Sequence, residues 1–338
     1  MSKKLIIVWL YLGILLIFLM VVIGGITRLT HSGLSIVEWD LISEAPLFPS
    51  NEEAQVLFEK YKQFPEYKEL NAHYSVEDFK KILFWENLHR KWGRLIGLVF
   101  IVPYLFFTLK NWISVSLHKK LLVIFLLGIF QGFLGWFMVK SGLVDKPSVS
   151  HYRLAAHLIT AFLTCAYIYW VLLWYKGGEA ELVKIQSSFS ILINLTLIFV
   201  IIQIVFGAFV AGLKAGSAYN TFPKMGLSWV PTEVFNQGFM LDTVAGVQFV
   251  HRYMAYLVVL ICVYLVWKIL LQSKSLLVEQ RRAVVAVGVV VMVQFLLGLF
   301  TLLFHVPLSL ALLHQLGAFL LLLVLIKVKF EFSFTRTL

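Results

Sequence analysis

The chain has 338 residues, of which 60% are hydrophobic and only 14% are charged, with a mean hydropathy of +0.86. Soluble domains carry about 25% charged residues, so this composition excludes a soluble globular protein, a disordered chain and an ordinary nucleic-acid-binding domain. The composition predicts an all-α integral membrane protein, in which the net charge of +11 is first of all a topology signal.

Apolar runs of about 20 residues, long enough to cross a bilayer, predict eight transmembrane helices. The first run is too long for a secretory signal, and no small-residue cleavage site follows it. The outer loop at 27–81 contains a polar stretch whose spacing predicts a short amphipathic helix outside the bilayer. The predicted spans lie near 5–26, 84–109, 119–139, 152–175, 187–211, 247–271, 283–303 and 308–327.

Lysine and arginine are distributed unequally between the two sides of the predicted membrane. The short outer loops, 140–153 and 212–246, contain five, namely Lys140, Lys146, Arg153, Lys214 and Lys224. The side of the N terminus contains fourteen, namely Lys3, Lys4, Lys110, Lys119, Lys120, Lys176, Lys184, Lys268, Lys274, Arg281, Arg282, Lys327, Lys329 and Arg336. The positive-inside rule therefore predicts cytoplasmic termini in a bacterial inner membrane, or the equivalent orientation in the mitochondrial inner membrane of a eukaryote.

The two halves of the chain repeat one pattern of polar residues within the spans. A His-Arg pair occurs in the second and sixth spans, a glutamine in the third and seventh, and a histidine in the fourth and eighth. In chain order the residues are His89, Arg90, Gln131 and His157, then His251, Arg252, Gln294 and His314. The repeat predicts two tandem pseudo-symmetric four-helix bundles, with one domain at 1–176 that includes the outer loop and another at 177–338.

Four histidines, His89, His157, His251 and His314, lie about five residues into their spans, or roughly 8 Å below the outer boundary. A single intramembrane histidine could equally make an interhelical hydrogen bond, but four at one depth indicate a function. Paired imidazoles across a four-helix bundle suit a haem iron, whereas zinc requires three or four converging ligands. We therefore predict one haem site in each half.

The repeat is broken at Glu86, which corresponds to Gln248 in the second half. Glu86 lies one turn before His89 on the same helix face. It could act as a general base or stabilise a cationic intermediate, or it could only pair with Arg90 four residues later, and these alternatives stay equally open. The asymmetry predicts one catalytic site and one electron-transfer or structural site.

Arginines cluster toward the outer ends of the spans, where haem propionates would emerge. Guanidinium groups match carboxylates well, although the same residues could anchor the helices at the interface. The cluster comprises Arg28, Arg90, Arg94, Arg153 and Arg252, and Arg28, Arg90, Arg153 and Arg252 are the predicted propionate contacts.

Long motifs over nearly the whole chain resemble haem A synthase, in the branch found in mitochondria and many Gram-negative bacteria. They are Gly24 to Ser35 with Trp39, Glu86 to Arg94, Gln131 to Leu143, Tyr152 to His157, Gly207 to Gly216, Tyr219 to Gly226, and Gln248 to Arg252. The resemblance implies an enzyme that oxidises the C8 methyl group of haem O to a formyl group by successive hydroxylations, giving haem A for cytochrome oxidase.

The resemblance also implies roles for individual residues and partners. His89 and His157 would hold the iron of the substrate haem O, with assistance from Glu86, and His251 and His314 would ligate a permanent haem b. The implied partners are the enzyme that makes haem O, an unidentified electron partner and the bilayer, with no nucleic acid and with a homo-oligomer left open. Some relatives carry a cysteine pair in the first outer loop, and this chain does not.

Two other classes of protein compete with this interpretation. A dihaem b-type cytochrome that passes electrons between a quinol and a partner would explain four histidines, but it does not explain the difference between Glu86 and Gln248. A transporter built from repeats would have its site near the midplane, whereas the polar residues of this chain cluster near one face. The sequence therefore predicts a haem A synthase.

Overall fold

The computed structural model describes residues 2–36, 46–142, 147–178, 182–185, 187–272 and 276–336. Trp39 and Leu143 of the motifs, and Lys146 and Lys274 of the charge comparison, lie outside the described residues. Within the described ranges, eight helices are long and apolar enough to cross a membrane. The predictions of an all-α integral membrane protein and of eight spans are confirmed.

The helices are α1 (Ser2–Leu29), α2 (Asn51–Tyr61), α3 (Val76–Leu109), α4 (Val115–Lys140), α5 (His151–Gly177), α6 (Ser190–Gly212), α7 (Glu233–Asn236), α8 (Val244–Gln272), α9 (Val278–Leu303) and α10 (Leu308–Glu331). All except α2 and α7 are of spanning length. Two short strands, β1 (Leu182–Lys184) and β2 (Phe334–Arg336), pair antiparallel after α5 and α10.

The chain divides into two compact units, Met1–Ala161 and Phe162–Leu338, and the boundary falls within α5. In the first unit α3 packs against α1, α2 and α4. In the second unit α6 packs against α8 and α10, and α9 packs against the same two helices.

Two tryptophans fix how α1 and α3 lie against each other. The indole Nε1 of Trp9 donates to the carbonyl oxygen of Val99 at 2.8 Å, and that of Trp92 donates to the carbonyl oxygen of Leu16 at 2.9 Å. Because lipid offers no hydrogen-bond acceptor, a buried indole N–H must find one in the protein. Bonds running in both directions between the helices set their register, which places α1 against the part of α3 that carries His89.

The helix α3 begins at Val76, eight residues before the apolar run that was predicted as the second span. Ser75 and Asp78 form a capping box that satisfies the first backbone N–H groups of the helix. The prediction placed the start too late because hydropathy measures only the apolar part of a helix, and the first two turns of α3 lie in polar sequence.

The polar stretch of the outer loop forms α2, as predicted, and Ser50 and Glu53 cap its start with a second capping box. A small apolar core joins α2 to the start of α3 through Phe58, Tyr61, Phe79, Ile82 and Leu83. The hydroxyl of Tyr61 donates to Glu66 at 2.9 Å. The pKa of the Tyr61 phenol is raised, mainly because the side chain is buried. The part of the outer loop that forms α2 is therefore packed against the start of α3.

Candidate functional site

Each of the four predicted histidines packs against a glycine of the preceding spanning helix. A Cβ atom at any of these glycines would lie close to the imidazole, so a larger residue would compete with the ring for its place. The pairs, with the distance from the glycine Cβ position to the nearest imidazole atom, are Gly24 and His89 (3.2 Å), Gly135 and His157 (3.2 Å), Gly207 and His251 (3.1 Å), and Gly298 and His314 (2.6 Å).

A glutamine one turn before the glycine contacts the histidine in three of the four pairs. The amide Nε2 of Gln131 lies 3.0 Å from Nδ1 of His157 and donates to the carbonyl oxygen of His157 at 2.9 Å. The same two contacts join Gln203 to His251 (3.0 and 3.0 Å) and Gln294 to His314 (3.0 and 2.9 Å).

The side-chain oxygen of these three glutamines is buried and has no hydrogen-bond partner among the described residues. A neutral imidazole that binds a metal through Nε2 carries its proton on Nδ1 and donates it to a nearby acceptor. Rotating the glutamine amide would supply that acceptor. The close packing of each imidazole against a glycine, which we call the glycine cradle, fits an imidazole that ligates an iron. The unused amide oxygen fits it as well.

The two histidines of the second unit are close enough for both imidazoles to bind one metal. The ring centroids of His251 and His314 lie 6.4 Å apart, and the ring planes meet at 84°. Two imidazoles on opposite faces of one metal, with bonds of about 2 Å, have ring centres about 6 Å apart. In the described part of the chain, no group of three or more His, Cys, Asp or Glu side chains converges, so a site of two imidazoles fits better than a zinc site.

Glu86 is buried and its carboxylate accepts four hydrogen bonds. Its Oε2 accepts from the backbone N–H of Ser35 (2.6 Å), the hydroxyl of Ser35 (2.7 Å) and the backbone N–H of Ile36 (2.9 Å). Its Oε1 accepts from the guanidinium of Arg90 at 2.7 Å, and Arg90 also donates to the carbonyl oxygen of Ile36 at 3.0 Å. The ion pair between Glu86 and Arg90 is thus formed, and together they fasten the segment that follows α1 to α3.

The corresponding residues of the second unit hold the loop after α6 without a carboxylate. The amide of Gln248 donates to the carbonyl oxygen of Tyr219 at 3.4 Å. The guanidinium of Arg252 donates to the carbonyl oxygens of Lys224 and Tyr219, each at 2.9 Å. The same two helix positions therefore perform the same structural task in both units, with an ion pair in the first and neutral acceptors in the second.

The four arginines predicted to contact propionates differ in how far their donors are already used. Arg90 and Arg252 bind loop carbonyls, as described above. Arg153 donates to the carbonyl oxygen of Phe137 at 2.8 Å, and its guanidinium lies 3.7 Å from the centre of the Phe137 ring. Arg28 is half-buried at the end of α1 and makes no hydrogen bond to the described residues. Its guanidinium therefore has the largest unused capacity.

Comparisons with known proteins identify the family of the chain. Residues 7–326 match the family model described as "Cytochrome oxidase assembly protein". A protein named "Heme A synthase" from Flavobacterium johnsoniae is 45% identical over 331 residues, covering 95% of this chain and 96% of that protein. Proteins of the same name from Flavobacterium psychrophilum (43%, covering 95% and 96%) and Nitrosospira multiformis (44%, covering 94% and 91%) are similar over equally long ranges.

The chain belongs to the haem A synthase family. The predicted resemblance is confirmed, and with it the prediction of a multi-pass membrane protein whose function involves haem. The structure shows where the predicted site residues lie, and their individual roles stay predictions.

Sequence reasoning overlooked one residue that the structure brings to a histidine. Gln203 contacts His251 from α6 just as Gln131 contacts His157 from α4. The spacing of glutamine and glycine, four residues apart at 131–135, 203–207 and 294–298, could have identified it. In α1 the residue four positions before Gly24 is Met20. The smallest repeating unit is therefore a pair of helices, one with the glycine and one with the histidine.

Proposed function

We propose that the protein is the oxidoreductase that converts haem O to haem A, oxidising the C8 methyl group to a formyl group by successive hydroxylations, for assembly of cytochrome oxidase. The observation that carries the proposal is the match, over nearly the full length, to relatives named "Heme A synthase". The four histidines in glycine cradles support it, because the reaction requires a site for the substrate haem.

The two histidine pairs would hold two different haems, one in each half of the chain. His251 and His314 would ligate a permanent haem b, and the 6.4 Å between their ring centroids supports this. His89 and His157 would hold the substrate haem O, and each packs against a glycine of the preceding spanning helix. Arg28 would bind a propionate with its unused guanidinium donors. A bound haem b supplies a redox-active iron.

The surroundings of Glu86 favour an electrostatic role over proton transfer. Glu86 lies one turn from His89. Its carboxylate accepts four hydrogen bonds, which are donated by Ser35, Ile36 and Arg90. Four donors already engage this carboxylate, so its position and orientation are fixed, with Arg90 as its counter-charge. Preorganised charge of this kind stabilises positive charge that develops during a reaction.

The location and partners follow from the same proposal. The relatives come from bacteria, which supports a place in the bacterial inner membrane. The excess of lysine and arginine on the side of the termini supports a cytoplasmic location for both of them. The enzyme that makes haem O would deliver the substrate, and a separate partner would exchange electrons with the haem b.

Haem extraction from the wild type and two matched variants tests the proposal. Each protein is co-expressed with a source of haem O, and the extracted haems are separated by chromatography. We expect haem b and haem A in the wild type and in Gln248→Glu. We expect haem b and haem O in Glu86→Gln, with haem A reduced about a hundredfold or more.

Two outcomes would contradict different parts of the proposal. Haem b alone in the wild type, with neither haem O nor haem A, would overturn the synthase and favour the dihaem cytochrome. Full haem A formation in Glu86→Gln would refute the role of Glu86 and leave the activity standing.

A further inference from the structure

His89 differs from the other three histidines in what holds its imidazole. The helices α4, α6 and α9 each present a glutamine and a glycine four residues apart, whereas α1 presents Met20 and Gly24. Nothing in the described part of the chain makes a hydrogen bond to the ring of His89, and a methionine sulfur donates none. Met20 instead packs against α3, with its methyl group 3.4 Å from the Cβ position of Gly93.

The ring of His89 is also turned differently against its glycine. The imidazoles of His157, His251 and His314 meet their glycines through Cε1. His89 meets Gly24 through Nε2, at 3.2 Å from the Cβ position, and through Cδ2, at 3.4 Å. Nε2 is the nitrogen that would bind iron, and a half-turn of the His89 ring would exchange Nε2 with Cε1 and give His89 the same contact as the other three histidines. The missing amide, and the ring orientation that goes with it, distinguish His89 from the other three histidines.

We propose that His89 is the exchangeable axial ligand of the substrate haem, and that Gln131, Gln203 and Gln294 hold the other three imidazoles in their ligating orientation. This inference rests on the proposed function, which places the substrate haem between His89 and His157. A hydrogen-bonded partner behind a ligating histidine is worth about 10-fold to 100-fold in metal affinity. His89 lacks that contribution and is therefore the ligand that leaves most readily.

The exchange itself is a simple ligand substitution. The bond between the iron and Nε2 of His89 breaks, the bond to His157 is kept, and a small neutral ligand takes the vacated position, with no transfer of electrons or protons. The permanent haem has an amide behind both of its ligands, from Gln203 and Gln294, so it stays closed to such ligands. The arrangement thus opens one haem to chemistry and confines the other to electron transfer.

Carbon monoxide binding to the reduced protein tests the inference without using turnover. The wild type is purified with and without co-expression of a haem O source, so that the added haem identifies the N-terminal site. We expect CO to bind the haem acquired on co-expression, whether haem O or the haem A formed from it, and not the haem b. The variant Met20→Gln, which supplies the missing amide, should slow CO binding about tenfold or more.

The reverse exchange in the second half serves as the matched variant. Gln203→Met removes one amide behind the permanent haem and should make haem b reactive toward CO in protein prepared without haem O. Equal haem-to-protein ratios confirm that each variant is loaded like the wild type. If Met20→Gln does not fold, the reactivity of haem b toward CO in Gln203→Met tests the inference by itself.

Two results would overturn the inference. One is equal CO binding by wild type and Met20→Gln, and the other is a Gln203→Met protein whose haem b stays inert to CO. Failure of the proposed function is a separate result, because it appears as the absence of haem A among the extracted haems, and the CO measurement on the haem b of Gln203→Met does not depend on it.

Discussion

The two halves of the chain build their histidine pairs from the same parts, yet one helix pair departs from the pattern. The pairs α4 with α5 and α9 with α10 both combine glutamine, glycine and histidine in one geometry. The pair α6 with α8 keeps this set and carries Gln248, whereas the pair α1 with α3 has Met20 and Glu86 in the equivalent places. Both departures surround His89. In a fold made of repeated parts, differences concentrated at one histidine support the proposal that the reaction takes place beside it.

The residues that bind the loop in each half show the same contrast in electrostatic terms. We call them the loop clamps: Glu86 with Arg90 in the first half, and Gln248 with Arg252 in the second. In the first half a buried carboxylate and guanidinium hold the loop with a bond of 2.7 Å between them. In the second half an amide and a guanidinium bind only backbone carbonyls. A buried charge depends on its partner far more than a neutral group does, so the first half is more sensitive to mutation at this position than the second half.

Removing one ligand from each half should produce the largest difference between them. His251→Ala should lose the permanent haem, because one remaining imidazole holds haem b weakly. His89→Ala should keep haem b at the wild-type ratio and lose haem A formation. Absorbance spectra and haem-to-protein ratios of the purified proteins measure both effects. An unchanged ratio in His251→Ala, or loss of haem b in both variants, would refute the assignment of one pair to each haem.

Breaking the two loop clamps should have a smaller effect that is unequal between the halves. Arg90→Ala leaves the carboxylate of Glu86 buried without its cation, which should lower the free energy of unfolding by about 3–5 kcal/mol. Arg252→Ala removes bonds to two carbonyls and should cost about 1–3 kcal/mol. Unfolding of the protein in bicelles, followed by circular dichroism, compares them. Equal losses would show that the charge in the first clamp makes no difference.

Filling the glycine cradles should have the smallest effect and should sharpen the comparison further. A Cβ atom at Gly298 would lie 2.6 Å from the ring of His314, whereas one at Gly135 would lie 3.2 Å from the ring of His157. Gly298→Ala should therefore cost about 1–3 kcal/mol and shift the haem b spectrum, because overpacking displaces the ring. Gly135→Ala should cost less, since a shift of a few tenths of an ångström is enough. A larger loss in Gly135→Ala, measured by thermal unfolding, would contradict this order.

Local patterns in the sequence explain which features of the fold and the site could be predicted. The spans follow from runs of apolar residues, and the four histidines stand out because ionisable residues are rare in such runs. The start of α3 was missed because its first turns are polar, and Gln203 was missed because an amide within a span gives a weaker signal than a histidine. Glu86 was recognised as the break in the repeat, but its partners Ser35 and Ile36 belong to a distant loop segment that no local pattern connects to it.

The amino-acid sequence by itself determined the membrane architecture, the two pairs of histidines and the family, because each depends on residue type and spacing along one helix. Only the tertiary structure decided which residue lies behind each imidazole, because that depends on the register and rotation of one helix against another. The contacts of Gly24 with His89 and of Gln203 with His251 join helices far apart in the chain. Those contacts distinguish His89, whose ring has no hydrogen bond from the described residues, from three histidines whose rings contact a glutamine amide.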